Sequence, residues 1–316
     1  MSVAPACNQD VDPTQLINTL GARMPDIIRW CGAVARQLRK HDVAVADKGT
    51  GYAPADALTL ADLSIQEILV DALRDFGPQF HRCRLEVEED TGDTSAFASE
   101  SPYTIAIDPI DGTKHFRDRT SDGYGILISL RRADASLYSL AFFPEQGRVG
   151  EWVEVNGDRI VHALDDTSMP ARHVLDAAPG LDAHAVGRSN TIWVTGYRTN
   201  RTVVGKHLAR EGLAVVMSDS YSDHVCTELA KGRVDGMLMN RPGVYDAPMW
   251  MHVLAALSGV ACWAHNRERV DFRDVWYDEN TRTQRLSGVV ACARDEDQLA
   301  RLVAVAERCM LVEHSD

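Results

Sequence analysis

Basic residues are scarce in this sequence: 33 Lys and Arg stand against 46 Asp and Glu among 316 residues, a formal net charge of −13. That balance argues against nucleic acid or an anionic membrane surface as the main partner. Paired cysteines are missing as well. The seven cysteines (Cys7, Cys31, Cys83, Cys226, Cys262, Cys292 and Cys309) are odd in number and scattered, with no C-x-x-C pair. Neither a zinc site nor a disulfide framework is signalled, and dispersed cysteines suit small core positions in a reducing compartment. Long hydrophobic runs are absent: the longest near-apolar stretch, Val253 to Trp263, falls short of the ~20 residues a bilayer span needs. The opening residues Met1 to Gln15 lack the basic start and apolar stretch of a signal peptide. No internal repeat or low-complexity tract is visible. The expectation is a soluble cytoplasmic protein with no membrane and no nucleic acid polymer as partner. Its length suggests about two domains.

What is present is ordered hydrophobic patterning. Leu16, Leu20, Met24, Ile27, Cys31, Val34 and Leu38 recur at helical steps, with a kink or break expected at Pro25. Ile65, Ile68, Leu69, Ala72, Leu73 and Phe76 mark a second helix, from near Asp62 to Gly77-Pro78. Strand-like runs follow at Arg84–Val87, Tyr103–Ile107, Gly125–Leu130, Ser136–Phe143 and Glu151–Val155. The mixed segment from about Asp165 to Arg188 reads as a connection. It divides the chain into an amino-terminal half, 1–165, and a carboxyl-terminal half, 166–316. Beyond it strands and helices alternate: Ile192–Val194, Arg201–Arg210, Ala214–Ser218, Ser222–Lys231, Gly236–Met239, Ala247–Ser258 and Val260–Ala264. A strand at Gly288–Ala293 and a helix at Asp295–Cys309 end the chain. Such a succession predicts sheets layered with helices.

The chemistry concentrates in Ile105-Ala106-Ile107-Asp108-Pro109-Ile110-Asp111-Gly112-Thr113-Lys114. An apolar strand runs into two aspartates, and Pro109 is expected to end it by removing a ladder donor. Gly112 permits close backbone approach, and the next residues can open a helix whose free amides bind phosphate oxygens. Two carboxylates and the Ile110 carbonyl form a hard, all-oxygen donor set that suits magnesium rather than zinc. The competing local reading is an Asp-Pro turn followed by an Asp-Gly turn. Other acidic groups have plain local readings too. Glu88-Glu89-Asp90 reads as a solvated loop, Asp62 as a helix-initiating residue, and Asp246 as an N-cap with Pro248 in the first turn. His115 reads as a neighbour of the motif, and His224 and His252 as structural residues.

Taken together and in this order, these elements resemble the inositol monophosphatase family, grouped with fructose-1,6-bisphosphatases and 3′(2′),5′-bisphosphate nucleotidases. Its T-x-A-D, Glu-Glu, D-P-[IL]-D-G-T-x-x-F and W-D-x-A motifs are matched by Thr59/Asp62, Glu88-Glu89, Asp108 to Phe116, and Tyr245-Asp246. The resemblance spans about residues 45 to 265 and implies an α+β layered sandwich (α-β-α-β-α) with mixed sheets. It further implies hydrolysis of a small-molecule phosphate monoester by metal-activated water, two or three Mg2+ per site, lithium sensitivity and a homodimer. Carried over, Glu88, Asp108, Ile110, Asp111 and Asp246 look like metal ligands. Gly112, Thr113 and Lys114 look like the phosphate cradle, and Asp62, Thr113 and Glu89 like the catalytic residues.

The chain departs from the family pattern at Val87, usually glycine, and at Tyr245, usually tryptophan. Substrate recognition departs further. The inositol phosphatases' Gly-Ser/Thr-Ala-Ala turn is replaced by Ser220-Tyr221-Ser222-Asp223, and ungapped alignment puts Met239 where they carry a hydroxyl-binding glutamate. Tyr221, Ser222, Asp223 and Met239 are therefore the candidate recognition residues, with weak activity expected on myo-inositol 1-phosphate. Ser220 to Asp223 is similar to the Gly-Tyr-Gly-Asp turn of histidinol-phosphate phosphatases, and Asp111 to Lys114 resembles both those enzymes and the bisphosphate nucleotidases. Two readings from other classes stand beside these. Haloacid-dehalogenase-type phosphatases carry D-x-D-G-T, but the spacing here is longer and Glu88-Glu89 would have no role. A non-catalytic metal- and phosphate-binding protein would keep the same ligands without turnover.

Overall fold

The computed structural model describes residues 11–41, 58–197, 200–279 and 281–313. The opening residues read above for a signal peptide lie mostly outside these, as does Cys7. Helix α1 (Pro13–Arg39) opens where the Asp12 carboxylate accepts the Thr14 N–H at 2.9 Å. It is one continuous helix through Pro25, so the expected break does not occur. Its buried stripe is Leu16, Leu20, Met24, Ile28, Cys31 and Ala35, with Ile27 at the margin. Helix α2 (Leu60–Asp75) starts in a capping box between Thr59 and Asp62. It ends before Gly77, whose positive φ of 118° turns the chain into the short α3 (Pro78–His81).

The first sheet has six strands in the order β1 (Arg84–Val87), β2 (Thr104–Asp111), β3 (Gly125–Arg131), β4 (Ser136–Phe143), β5 (Glu151–Asn156) and β6 (Arg159–Leu164). Only β1 and β2 pair in parallel. All of β3 is buried because helices cover both faces of the sheet, so its apolar run need not alternate. Pro109 does not end β2. The strand continues to Asp111 through a register shift against β3 between Asp108 and Asp111. A bulge tolerates the missing proline donor and re-aims the residues around it.

After α4 (Thr113–Asp118) and α5 (Ala171–Ala177), the second half builds a five-stranded sheet. Its order is β10 (Val260–Trp263), β13 (Val289–Ala293), β9 (Gly236–Asn240), β7 (Thr191–Thr195), β8 (Ala214–Met217). A small hairpin, β11 (Val275–Asp278) and β12 (Thr283–Leu286), stands apart. Helices α7 (Val225–Ala230) and α8 (Ala247–Ala256) lie between the two sheets. Helices α6 (Arg201–Arg210) and α9 (Glu296–Glu313) cover the far face of the second sheet, and α1 and α2 the outer face of the first. The layering is α-β-α-β-α, with mixed sheets.

Three apolar clusters fill the gaps between layers. β6 and the β11–β12 hairpin escaped the periodicity reading because their burial does not alternate, α5 lies within the segment read as a connection, and the hairpin leaves Trp276 and Tyr277 exposed. Helix α7 begins three residues later than expected, which leaves Tyr221, Ser222 and Asp223 in the preceding loop. The six described cysteines are buried and none is in a disulfide. No helix among the described residues is long and apolar enough to cross a membrane.

Candidate active site

The bulge in β2 delivers Asp108 and Asp111 to the sheet's carboxyl edge, where Asp108 accepts the Ile110 N–H at 2.9 Å. Gly112 follows with φ 90°, and a Cβ there would meet the Gly123 carbonyl oxygen at 2.9 Å. Only glycine permits that turn. It starts α4, whose far end is held from the outer layer: Arg39, in the last turn of α1, donates to the carbonyls of His115 and Phe116 at 3.1 and 3.2 Å.

Thr113 and Asp62 meet behind the bulge. The Thr113 hydroxyl lies 2.8 Å from the Ile110 carbonyl and 3.1 Å from Asp62 Oδ1, while the other Asp62 oxygen accepts from Thr59. Asp62 is thus the third helical residue of α2, capped by Thr59, and is fully buried. Buried Gln66, one turn on, fixes the Glu88-Glu89 loop. It donates to the carbonyls of Glu89 and Thr91 and accepts the Glu89 N–H at 2.9 Å.

Asp246 enters from the second half, immediately before α8. It makes no capping bond, so the N-cap reading of its carboxylate does not hold. Asp108, Asp111 and Asp246 each place one carboxylate oxygen within 4.8 Å of the others. Glu88, Ile110, Gly112, Thr113 and Lys114 line the same cavity of about 230 Å³. Lys114 is paired with Asp118 at 2.9 Å.

The electrostatics follow from crowding. Burial first, then the charges of Glu88, Asp246 and Asp111, hold the Asp108 carboxyl well above the usual range. Burial and the charge of Asp111 push Asp246 up to about 8, against a hydrogen bond from Asp108 and the pull of Arg285. Like-charged carboxyls this close cannot all ionise without a countercharge. A hard divalent cation supplies one, and the donor set of carboxylates and a carbonyl fits it.

Two residues orient this cluster: His224, expected only as a structural residue, and Trp250, which was not foreseen. His224 Nδ1 accepts the Cys226 N–H at 3.2 Å, so Nε2 carries the proton and donates to Asp111 Oδ2 at 2.7 Å. Trp250 Nε1 donates to the same oxygen at 3.1 Å. Trp250 sits one turn after Asp246 on α8, a spacing that places both on one face. His224 gave no such local signal. Trp193, Thr195, Asp219 and Arg285 also line the cavity and were not foreseen.

Five expected residues do not line the cavity, and of these Asp62 touches it only through Thr113. Glu89 is buried and does not line the cavity. Met239 is fully buried in the core between the sheets, because the face of β9 that carries it packs against the central helices. Ser222 is exposed, and the Tyr221 hydroxyl is bonded to Glu228 at 2.7 Å rather than offered to the cavity. Of the recognition loop, only Asp223 reaches the lining. A larger cavity of about 950 Å³ lies beside α8, β10 and α9 and contains none of the clustered carboxylates.

The sequence pattern that describes the inositol monophosphatase family matches residues 26–165. Solved structures share the fold at low identity. An inositol monophosphatase from Anabaena (Nostoc) is 15% identical, covering 93% of this chain and 97% of its own, with a TM-score of 0.58. The extragenic suppressor protein suhB from Bartonella henselae is also 15% identical, covering 92% and 98%, with a TM-score of 0.64. SaIMPase-II with inositol monophosphate bound is 11% identical, covering 94% and 99%, with a TM-score of 0.59. No protein of curated function is matched significantly by sequence. The chain resembles the inositol monophosphatase family in sequence over its first half and has its fold throughout.

Proposed function

We propose that this chain is a magnesium-dependent phosphatase that hydrolyses a small-molecule phosphate monoester. The observation that carries the reading is the convergence of Asp108, Asp111 and Asp246, from both halves of the chain, to within 4.8 Å. Residues 1–165 would supply Asp62, Glu88, Asp108 and Asp111, and residues 166–316 would supply Asp246 and the leaving-group wall.

Asp108, Asp111, Asp246, Glu88 and the Ile110 carbonyl would hold the cations. When bound, magnesium supplies positive charge against the phosphoryl oxygens and makes a nearby water more acidic. The protein's own part is positional. With its own proton directed to Asp62 Oδ1, Thr113 would orient an attacking water by accepting a hydrogen bond at Oγ1, and the water's proton would pass to Oγ1 as the hydroxyl proton passes on to Asp62. Amides of Gly112 and Thr113, at the start of α4, would meet a phosphoryl oxygen. The carboxylates are engaged as ligands, so water rather than a side chain is the nucleophile.

Two or three Mg2+ per site, lithium inhibition and a homodimer are carried by the family resemblance, and a cytoplasmic location by the scattered unpaired cysteines. SaIMPase-II with inositol monophosphate bound supports an organic phosphate in a cavity of this kind. Met239 lies away from the cavity, which removes the argument against myo-inositol phosphate built on it. Asp223 keeps a histidinol-phosphate-like substrate in view, since a carboxylate there suits an amine.

The test is phosphate release with magnesium across sugar, cyclitol, amino-alcohol and nucleotide monophosphates. Asp111→Asn and Asp246→Asn should each lose at least about a hundredfold in kcat/KM while circular dichroism and melting stay native. Near-normal turnover in either variant would remove the metal cluster from the mechanism, and no release from any ester would favour a non-catalytic binding protein.

A further inference from the structure

The β11–β12 hairpin sends one cation back to the cavity. Arg285, on β12, lines it together with Asp246, and it lies beyond residues 45 to 265, which carry the family motifs. Its charged head, and not only its stem, is close to the cluster. Burial and the charge of Asp111 raise the Asp246 carboxyl, and the Arg285 guanidinium opposes them. Its ion pair, however, is with Asp278, where Nε lies 3.3 Å from Oδ2.

The guanidinium is held from outside the cavity. Nη1 donates to the Arg241 carbonyl at 3.1 Å, and neither Arg241 nor Asp278 lines the cavity. Nη2 has no partner among the described residues and stays open to solvent, although the side chain is only 22% exposed. A guanidinium fixed at two nitrogens and open at the third has given up its rotamer freedom before any ligand arrives. Other charges of the lining are already matched. Both oxygens of Asp219 receive Arg201, and Lys114, at the start of α4, is paired with Asp118.

We propose that Arg285 is a specificity-determining residue whose Nη2 donates to a carboxylate on the leaving group, so that the substrate is the phosphate ester of a hydroxy acid. This rests on the hydrolase reading of the same cavity. The cations and the start of α4 meet the charge of the phosphoryl group, so a guanidinium from the second half meets the part that departs as an alcohol. One open nitrogen suits a singly charged carboxylate. A second phosphoryl group, with more charge and more oxygens, calls for more donors than Nη2 offers. A neutral hydroxyl would accept only a weaker bond from it.

Glycerol 2-phosphate and glycerate 2-phosphate are the probes, since they share a phosphoryl group and a carbon skeleton and differ only where a hydroxymethyl becomes a carboxylate. With magnesium, wild type should favour the glycerate ester about tenfold in kcat/KM, chiefly through KM. Arg285→Gln should lower that ratio about tenfold, and Arg285→Lys, which keeps the charge without the fixed fork, about threefold. Damage to the fold or to Asp246 slows both esters alike, so the ratio isolates the carboxylate contact. An unchanged ratio in Arg285→Gln overturns the proposal, as does a wild type that favours the glycerol ester. Should Arg285→Gln fail to fold, an unchanged ratio in Arg285→Lys overturns it instead. If only the glycerate ester is cleaved, the variant must raise its KM about tenfold with kcat within about twofold, and a loss confined to kcat overturns the proposal. Wild-type protein that cleaves neither probe but releases phosphate from another monoester overturns this inference and leaves the hydrolase reading standing. No release from any ester overturns both.

Discussion

Asp111 shows how much of the site depends on neighbours that bind nothing themselves. Its Oδ2 takes two donors, from His224 and Trp250, which leaves Oδ1 to face the cavity. Such partners set the orientation and basicity of a ligand, and their loss costs ten- to a hundredfold in metal affinity. Replacing His224 with Ala should therefore weaken Mn2+ binding by about that factor, read by calorimetric titration, with the fold retained. Unchanged affinity would show that Trp250 alone holds Asp111. At this scale the sequence was legible where spacing carries meaning. The Asp108 to Thr113 run announced its carboxylates, glycine and hydroxyl before any fold was known. Asp246 and Trp250, four residues apart, could have been placed on one helical face. His224 could not, because its partner lies 113 residues away and a lone histidine inside the helix expected over Ser222–Lys231 reads as a structural residue. Met239 failed for the opposite reason: an ungapped alignment assigned it a role that the inward face of β9 denies.

At the level of elements, α8 presents Asp246 and Trp250 to the site and turns His252 toward the first sheet. His252 is 6% exposed and its Nδ1 lies 3.0 Å from the Ser139 hydroxyl, which in turn meets Ser129 at 3.1 Å. Burial pushes its pKa down to about 4, against opposing pulls from the Gly157 backbone and the Asp158 carboxylate. In the unfolded chain the imidazole would protonate near 6.5. The sign follows: the native state holds it neutral, so its contribution is complete above pH 6.5 and is lost as pH falls from there to about 4. The full span is about 3 kcal/mol. Urea midpoints taken at intervals between pH 7 and 4 should fall more steeply in wild type than in His252→Asn, whatever the variant's absolute stability. Parallel slopes would show that His252 titrates freely. Long periodic elements such as α1, α2 and β4 were readable, because burial on one or both faces leaves a pattern. β6 and the β11–β12 hairpin were not, since their buried and exposed residues do not alternate. Pro109 misled for a physical reason: a bulge and a strand end both accommodate a missing donor.

Across the whole molecule, the sequence's strand–helix succession implied layers, but periodicity cannot state which strand pairs with which. The order within each sheet came only with the structure, and with it the fact that the clustered carboxylates Asp108, Asp111 and Asp246 come from both sides of the Asp165 to Arg188 connection. On the reading proposed above, that arrangement would make cation binding a property of the folded chain. Unfolded, Asp108 and Asp246 are separated by more than a hundred residues and cannot chelate together. A ligand that binds only the native state stabilises it by mass action, by about 2.7 kcal/mol at a hundredfold excess over Kd. Magnesium should therefore raise the melting temperature by a few degrees and shift it further with each increment of concentration. The comparison is made at constant ionic strength, because a chain of net charge −13 also gains from simple screening. Asp111→Asn and Asp246→Asn should melt close to wild type without magnesium and lose the dependence on it. An equal rise in both variants would place the cation somewhere other than the cavity formed where the halves meet, and a wild type indifferent to magnesium would leave the crowded carboxylates without the countercharge they require.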